Sequence, residues 1–151
     1  MRFIDVDKKL SRKDLVGSGN HGSIYRVSPS YVIKIYHPWV EEPGSLGHEF
    51  GIMKPLFNEG RNVPFPVGLV RVPFVGKSGE RIREGFMMQY IVGVHGNETS
   101  GTLRKKVDFY YSEEIRRCMN LGFVPVDVDI RNSIYNPLED KLYLVDFRLW
   151  V

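Results

Sequence analysis

Apolar and polar positions change their period several times along the chain, and these changes predict a mixture of strands and helices. Residues 15–36 are rich in Val, Ile and Tyr and are interrupted by Ser28-Pro29-Ser30, which is typical of two strands joined by a turn. Residues 63–75 alternate apolar residues with prolines, which predicts an edge-like strand. A turn at residues 77–80 precedes the apolar run of residues 85–94, which is long enough for a buried strand.

Two segments have helical spacing. Ser45 is a candidate cap for a helix whose apolar residues then recur every three or four positions. A second helix is predicted over residues 107–121 and is ended by Gly122. An irregular stretch, a turn at residues 137–140 and a last strand over residues 141–147 follow. The order predicts an α+β fold, in which an N-terminal sheet carries one helix and a second helix precedes a short hairpin.

Composition narrows the class of protein. The chain has 151 residues, 42% of them hydrophobic, which fits a single domain with a packed core. Its formal charge of +3 is mild and its basic residues are scattered, so we do not expect nucleic-acid binding. The single cysteine, Cys118, excludes an intramolecular disulfide and a cysteine-based zinc site and fits a reducing compartment.

Targeting and membrane signals are weak. No stretch approaches the ~20 apolar residues that span a bilayer, and charges interrupt the N-terminus too early for a signal peptide. We therefore expect a cytoplasmic protein without a membrane span. Export by a route that needs no such signal stays open.

The strongest motif is the glycine cluster Gly17-Ser18-Gly19-Asn20-His21-Gly22, which matches G-x-G-x-x-G. A dinucleotide site would need a helix directly after the glycines, whereas residues 23–27 are typical of a strand. The glycines are therefore predicted to lie between two strands of a hairpin. Backbone N–H groups can approach phosphate there because no Cβ atom obstructs them. An ordinary glycine-rich hairpin is the alternative.

A lysine on the following strand needs a partner. Lys34 lies between apolar neighbours in Val32-Ile33-Lys34-Ile35. A buried and unpaired ammonium group is costly, so we expect an acidic partner. Glu49, 15 residues later on the predicted first helix, is the candidate.

The C-terminal half completes a family resemblance. Asp127 and Asn132 are separated by four residues, and Asp146-Phe147-Arg148 follows the apolar pair Leu144-Val145. Together with the glycine cluster and the lysine strand, these segments resemble the catalytic loop and D-F-G segment of protein kinases. The resemblance covers roughly residues 15–148. The brevity of the chain and its D-F-R tripeptide are similar to the minimal effector-type Ser/Thr kinases of bacteria, which have a truncated C-lobe and no activation loop.

The resemblance implies one minimal kinase domain. Its N-lobe, over about residues 1–92, would be an antiparallel sheet with one helix, and its C-lobe stub, over residues 93–151, would contain one helix and the catalytic hairpin. Lys34, held by Glu49, would bind the α- and β-phosphates of ATP, and Asp127 would orient or deprotonate the attacking hydroxyl. Asn132 and Asp146 would bind Mg²⁺. The implied nucleotide-binding set is Gly17, Ser18, Gly19, Asn20, His21, Gly22, Ile24, Val32, Lys34, Met88, Gln89, Ile91 and Ile134. Within it, Ile24 would cover the adenine ring, Val32 and Ile134 would enclose it, Met88 would be the gatekeeper, and the backbone of residues 89–91 would meet the adenine edge.

The chain departs from the family in three ways around these motifs. Pro125 and Val126 replace the histidine and arginine that precede the catalytic aspartate, so control through activation-loop phosphorylation is not expected. Asp129 replaces a lysine, and its carboxylate would repel a γ-phosphate unless it points away or binds metal. Arg131 or Arg148 is the candidate for the missing positive charge; Arg148 also replaces the last glycine of D-F-G.

Four functions remain in view. The first is ATP- and Mg²⁺-dependent phosphorylation of protein Ser/Thr, by an effector acting on a host protein in the host cytosol. The second is a pseudokinase that serves as a binding module. A small-molecule phosphotransferase and an enzyme that transfers adenylate follow. In each case we expect apolar side chains of the stub, near residues 109–121, to be exposed or covered by a partner or a second copy. Residues 149–151 either contribute to this contact or fold back onto the chain.

Overall fold

The computed structural model describes residues 2–19, 21–38 and 45–151. Within these ranges the chain forms an α+β fold with a seven-stranded mixed sheet, a three-stranded sheet and two α-helices, so the predicted class is confirmed. The strands are β1 (Ile4–Asp5), β2 (Leu10–Ser11), β3 (Leu15–Ser18), β4 (Gly22–Arg26), β5 (Tyr31–Tyr36), β6 (Pro66–Gly76), β7 (Gly79–Gln89), β8 (Val94–His95), β9 (Ser133–Asn136) and β10 (Lys141–Leu144). The helices are α1 (Ser45–Asn58) and α2 (Gly101–Asn120).

The chain divides into two compact units. The first comprises residues 1–50 and 66–90, and the second comprises residues 51–65 and 91–151. The first unit therefore contains the seven-stranded sheet and the start of α1. The second contains the rest of α1, α2 and the three-stranded sheet.

The sheet of the first unit has the order β1-β6-β7-β5-β4-β3, and β2 also pairs with β6. Strands β3 to β7 pair antiparallel, whereas β1 and β2 run parallel to β6. The expectation of a purely antiparallel sheet is therefore wrong at this edge. The reason lies in the N-terminal segment, where the fully buried side chain of Leu10 packs into the sheet's core and brings its backbone alongside β6.

One hydrophobic core cluster of the first unit lies on one face of the sheet. Ile33 and Ile35 of β5 pack there with residues of β6 and the N-terminal segment. Because successive side chains of a strand point to opposite faces, Lys34 lies on the face away from this core. The closeness of β7 to β5 explains Gly85, where an added Cβ would lie 2.9 Å from the Lys34 carbonyl oxygen.

The second unit is built on α2 and the antiparallel sheet β10-β9-β8. Helix α2 begins at Gly101, six residues before the predicted start, and ends before Gly122, which has a φ of +96° as expected of a helix-terminating glycine. Between β7 and α2 the chain forms β8 and a short 3₁₀ turn at Gly96–Glu98. The buried residues of α2 recur at helical spacing: Val107, Tyr111, Glu114, Ile115 and Cys118.

Apolar side chains of the second unit divide between its core and its surface. Phe109 and Met119 of α2 are 62% and 56% exposed. Trp150 is buried and its ring packs edge-on against that of Phe147, 4.9 Å away. Val151 exchanges two backbone hydrogen bonds with Val124, so the segment at residues 149–151 folds back onto the chain that leads into Asp127. Along the described part of the chain, no helix combines the length and apolar character needed to cross a bilayer.

Candidate active site

The glycine cluster lies where the sequence predicted it, between two antiparallel strands. Gly17 and Ser18 belong to β3 and Gly22 begins β4; Asn20 lies outside the described residues. The hydroxyl oxygens of Ser18 and Ser23 are 3.0 Å apart, and the Gly19 N–H donates to the Gly22 carbonyl at 2.9 Å. The hairpin is thus closed by its own hydrogen bonds.

The three glycines of the cluster differ in the space around them. An added Cβ at Gly22 would lie 2.6 Å from the Ile35 carbonyl oxygen, so this glycine is required for the close approach of β4 to β5. An added Cβ at Gly17 or Gly19 would meet no atom within 4 Å. These two positions therefore leave open space, which is the property a loop that binds phosphate needs.

Lys34 and Glu49 form a buried ion pair, as predicted. The Lys34 Nζ atom donates to both carboxylate oxygens of Glu49, at 3.0 and 3.1 Å. The Lys34 side chain is 9% exposed and that of Glu49 only 2%. The Tyr36 hydroxyl also donates to Glu49 Oε1 at 2.8 Å, and the Tyr36 ring lies 5.4 Å from Nζ. An ion pair removed from water is stable only with such additional hydrogen bonds.

The residues expected around adenine are divided between the units. In the first unit, Val32 on β5 is buried and pairs with Met88 on β7, next to the pair Tyr31–Gln89. Ile24, on β4, pairs with Lys34. In the second unit, Ile91 is buried and Ile134 is half-buried on β9.

Asp127 lies in a compact loop that is held together by Asn132. The Asn132 side-chain amide donates to the Asp127 carbonyl at 3.2 Å and reaches its Oδ2 atom at 3.5 Å. Asp129 caps the 3₁₀ turn that contains Asn132, because its Oδ1 atom accepts the Arg131 N–H at 2.9 Å. The loop is therefore preformed in the protein alone.

Arg131 lies between the two carboxylates of this loop. Its guanidinium nitrogens are 3.7 Å from Asp127 Oδ1 and 3.8 Å from Asp129 Oδ2. All three side chains are 40–55% exposed, so these ion pairs are weak and can rearrange. The positive charge of Arg131 thus lies next to the negative charges of Asp127 and Asp129.

Asp146 follows β10 and is brought close to Asn132 by the backbone. The Val145 N–H donates to the Asn132 carbonyl at 3.0 Å. Among the described residues, the only non-glycine residues with positive φ are Asp127 (60°), Asp140 (50°) and Asp146 (67°). Left-handed backbone costs energy even for aspartate, and such residues cluster at functional sites. Two of the three are the aspartates that the sequence selects for chemistry.

A buried carboxylate anchors this region from α2. Glu114 Oε2 accepts the Asn62 N–H at 2.7 Å, and Oε1 lies 3.6 Å from Arg61 and 3.5 Å from Arg117. The Asn62 carbonyl in turn accepts the Leu144 N–H at 2.8 Å, two residues before Asp146. The residues after α1 therefore join α2 to the strand that leads into Asp146.

A second polar cluster secures the turn after β9. Asp140 accepts hydrogen bonds from Tyr135 at 2.6 Å and from Tyr110 at 3.0 Å, and it lies 2.7 Å from Lys106 Nζ. The Lys106 ammonium and the Tyr135 hydroxyl lower the pKa of Asp140 to about 2. Asp140 is therefore ionised at neutral pH, and its left-handed backbone lies in the turn that joins β9 to β10.

Cys118 is not a candidate nucleophile. It is fully buried on α2, and burial together with the charge of Glu114 raises its pKa to about 12. A cysteine reacts as its thiolate, which is absent here at neutral pH.

The donor set at Asn132 and Asp146 fits Mg²⁺. One carboxylate and one amide oxygen, with water and phosphate oxygens completing the shell, is a usual arrangement for this ion. Within residues 2–19, 21–38 and 45–151, no group of three or more His, Cys, Asp or Glu is placed to hold a metal ion by itself.

Sequence reasoning missed Tyr36, His37 and Glu114. Tyr36 follows Lys34 by two residues, so strand alternation could have placed both on one face. Glu114 lies seven residues after Val107 on the buried side of α2, a position at which a carboxylate needs partners. His37 donates its backbone N–H to the His21 carbonyl at 2.8 Å, and this contact could be predicted only from the register of β4 against β5.

A scan against protein-family models gives no match, and a search of curated proteins finds no significant similarity. Any function proposed for this chain must therefore be supported by its residues and their geometry.

Proposed function

We propose that this protein transfers the γ-phosphoryl group of ATP to a serine or threonine hydroxyl of another protein, in a minimal kinase-like fold that uses Mg²⁺. The observation that carries the proposal is the buried Lys34–Glu49 pair beside a glycine hairpin with open space at Gly17 and Gly19. The resemblance to effector-type kinases further leads us to expect a host protein as the acceptor.

The buried pair favours a binding role over a purely structural one. A buried ion pair contributes little net stability, and apolar residues of similar size often serve as well. Both Glu49 oxygens bind Lys34, and Tyr36 holds the carboxylate in place. A lysine held this firmly presents its charge in one position, which suits the binding of phosphate.

The second unit supplies the groups for the reaction. Asp127 would accept the proton of the acceptor hydroxyl while the oxygen of that hydroxyl forms a bond to the γ-phosphorus. The bond from that phosphorus to the β,γ-bridging oxygen breaks, and ADP leaves. Arg131 would offset the negative charge of Asp129 near the transferred group. Asn132 and Asp146 would hold Mg²⁺, which neutralises charge on the phosphate oxygens when bound.

Mass spectrometry of the protein with Mg²⁺, ATP and a eukaryotic lysate tests the proposal. We expect added phosphate on serine or threonine that is lost in Lys34→Ala and Asp146→Ala variants. Asp108→Asn, which removes an exposed carboxylate paired with Arg104, is the matched control and should keep full transfer. Transfer that survives both Lys34→Ala and Asp146→Ala would refute the assignment.

One observation favours a pseudokinase as the second candidate. Arg131 and Asn132 both lie against Asp127, so its carboxylate is engaged before any substrate arrives. If this contact persists, ATP binds without transfer. Titration of ATP on the same sample separates the two functions, since binding without phosphate transfer supports the pseudokinase.

A further inference from the structure

His37 lies directly after β5 and contacts the glycine hairpin twice. Its backbone N–H donates to the His21 carbonyl at 2.8 Å. Its ring Nε2 atom lies 2.8 Å from the Gly19 carbonyl oxygen. A carbonyl can only accept, so the ring nitrogen is the donor in this contact.

The strand register explains why His37 reaches the hairpin. Gly22 pairs with Tyr36 at the end of the β4–β5 ladder, and the hydrogen bond from His37 to His21 is the next one along. The side chain of residue 37 is thereby placed beside the loop that joins β3 to β4. The imidazole makes a second contact with this loop, at the Gly19 carbonyl.

These contacts decide which backbone groups the loop can offer to an anion. A carbonyl oxygen carries partial negative charge and repels phosphate, whereas an N–H group attracts it. A carbonyl whose oxygen is held by His37 cannot turn that oxygen towards the phosphate.

The need for such a restraint follows from the glycines. Gly19 has open space around the position of a Cβ and can adopt many backbone conformations. A ligand that binds only one of them loses affinity in proportion to the fraction of the protein in that conformation. A side chain that holds the Gly19 carbonyl raises this fraction before the nucleotide arrives.

We propose that His37 is a positioning residue for the phosphates of the nucleotide, because it holds the Gly19 and His21 carbonyls and so presets the loop. This inference rests on the proposed function, since it assumes that the loop binds phosphate. It adds to that function a residue that none of the kinase-like motifs contains.

The test compares ATP with adenosine, which carries no phosphate, by isothermal titration calorimetry in the presence of Mg²⁺. His37→Ala should weaken ATP binding about fivefold, as expected for one lost hydrogen bond, and leave adenosine binding unchanged. His37→Gln, whose amide can donate to the same carbonyl, should restore most of the loss. His95→Ala, which removes an exposed histidine of β8, is the control and should bind both ligands as the wild type does.

The results separate a failure of the role of His37 from a failure of phosphate binding by the loop. Equal weakening of ATP and adenosine binding, or no change in either, would overturn the role of His37. A wild-type protein that binds adenosine but shows no extra affinity for ATP would refute phosphate binding by the loop, and the proposed function with it. If His37→Ala does not fold, as judged by its thermal unfolding, His37→Leu takes its place, because leucine fills space but cannot donate a hydrogen bond; a wild-type ratio of the two affinities in His37→Leu would overturn the role of His37.

Discussion

The two units hold their charged residues in opposite ways. In the first unit, Lys34 and Glu49 are almost fully buried, and both carboxylate oxygens are engaged. In the second unit, Asp127, Asp129 and Arg131 are about half exposed, and the Arg131 guanidinium lies 3.7 and 3.8 Å from the two carboxylates. One set of charges is held in place by burial, and the other is held by a hydrogen-bonded loop and left in contact with solvent.

The difference matches what each set would have to do. A group that binds the same phosphates in every cycle gains from a position that does not change. Groups that receive a proton or meet a changing substrate must be reachable, and exposed ion pairs cost little to rearrange. The comparison therefore predicts large effects on stability in the first unit and small ones in the loop of residues 127–132 in the second.

Removing Glu49 should have the largest effect on stability. Glu49→Ala leaves the ammonium of Lys34 buried without its carboxylate, which costs about 3–5 kcal/mol of unfolding free energy. Denaturant unfolding followed by circular dichroism measures the change.

An apolar replacement of the whole cluster provides the control. A variant with Lys34→Met, Glu49→Leu and Tyr36→Phe leaves no buried polar group behind, so its unfolding free energy should return to near the wild-type value. We expect this variant to have lost phosphate transfer completely. If it stays as unstable as Glu49→Ala, the pair has a structural role. The charged residues of the first unit would then serve stability rather than the binding of phosphate.

Removing Glu114 should have the next largest effect, and it lies in the second unit. Glu114→Ala leaves the half-buried Asn62 N–H without its acceptor and should cost about 2 kcal/mol. Glu113→Ala, at the preceding position of α2, is the matched control, because Glu113 pairs with the exposed Arg116 on the surface of the helix. We expect this control to unfold at the wild-type denaturant concentration.

A further readout separates anchoring from simple loss of stability. The Asn62 backbone links Glu114 to Leu144, two residues before Asp146. We therefore expect Glu114→Ala to require more Mg²⁺ for half-maximal transfer at a temperature where it is fully folded. An unchanged Mg²⁺ requirement would show that the anchor does not act on Asp146.

Two glycine substitutions in the hairpin should have different effects, one on stability and the other on ATP binding. Gly22→Ala forces a Cβ to within 2.6 Å of the Ile35 carbonyl oxygen, so we expect a loss of about 1–3 kcal/mol in unfolding free energy. Gly17→Ala meets no atom within 4 Å and should leave stability nearly unchanged while it weakens ATP binding. Calorimetric titration and denaturant unfolding of both variants measure the two effects, and a Gly17→Ala protein with wild-type ATP affinity would contradict open space as a phosphate site.

The sequence was sufficient where the neighbours of a side chain and its expected partner led to the same prediction. Lys34 between apolar neighbours required a partner, and Glu49 on the next helix provided it. The hairpin around the glycines followed from the strand-like residues after them. Gly122 correctly marked the end of α2.

The sequence was insufficient where contacts depend on register or on very short elements. Two-residue strands such as β1 and β2 have no periodicity, so their parallel pairing with β6 had no signal. The start of α2 was missed because its first turns are polar and exposed. The contact of His37 with Gly19 depends on the alignment of β4 with β5, which no residue pattern specifies.

The smallest effect is expected at Asp129. Asparagine at this position removes the charge but keeps an oxygen that can accept the Arg131 N–H, so the 3₁₀ turn remains capped. The side chain of Asp129 is 43% exposed, and the ion pair it loses is worth less than about 1 kcal/mol. Arg131 already offsets the carboxylate, so Asp129→Asn should tighten Mg²⁺-ATP binding by less than about tenfold. Asp108→Asn, which has the same charge change beside Arg104, should leave ATP binding unaltered. A loss of ATP binding in Asp129→Asn would instead indicate that this carboxylate is itself a metal ligand, and the exposed loop would then resemble the buried pair in its need for both charges.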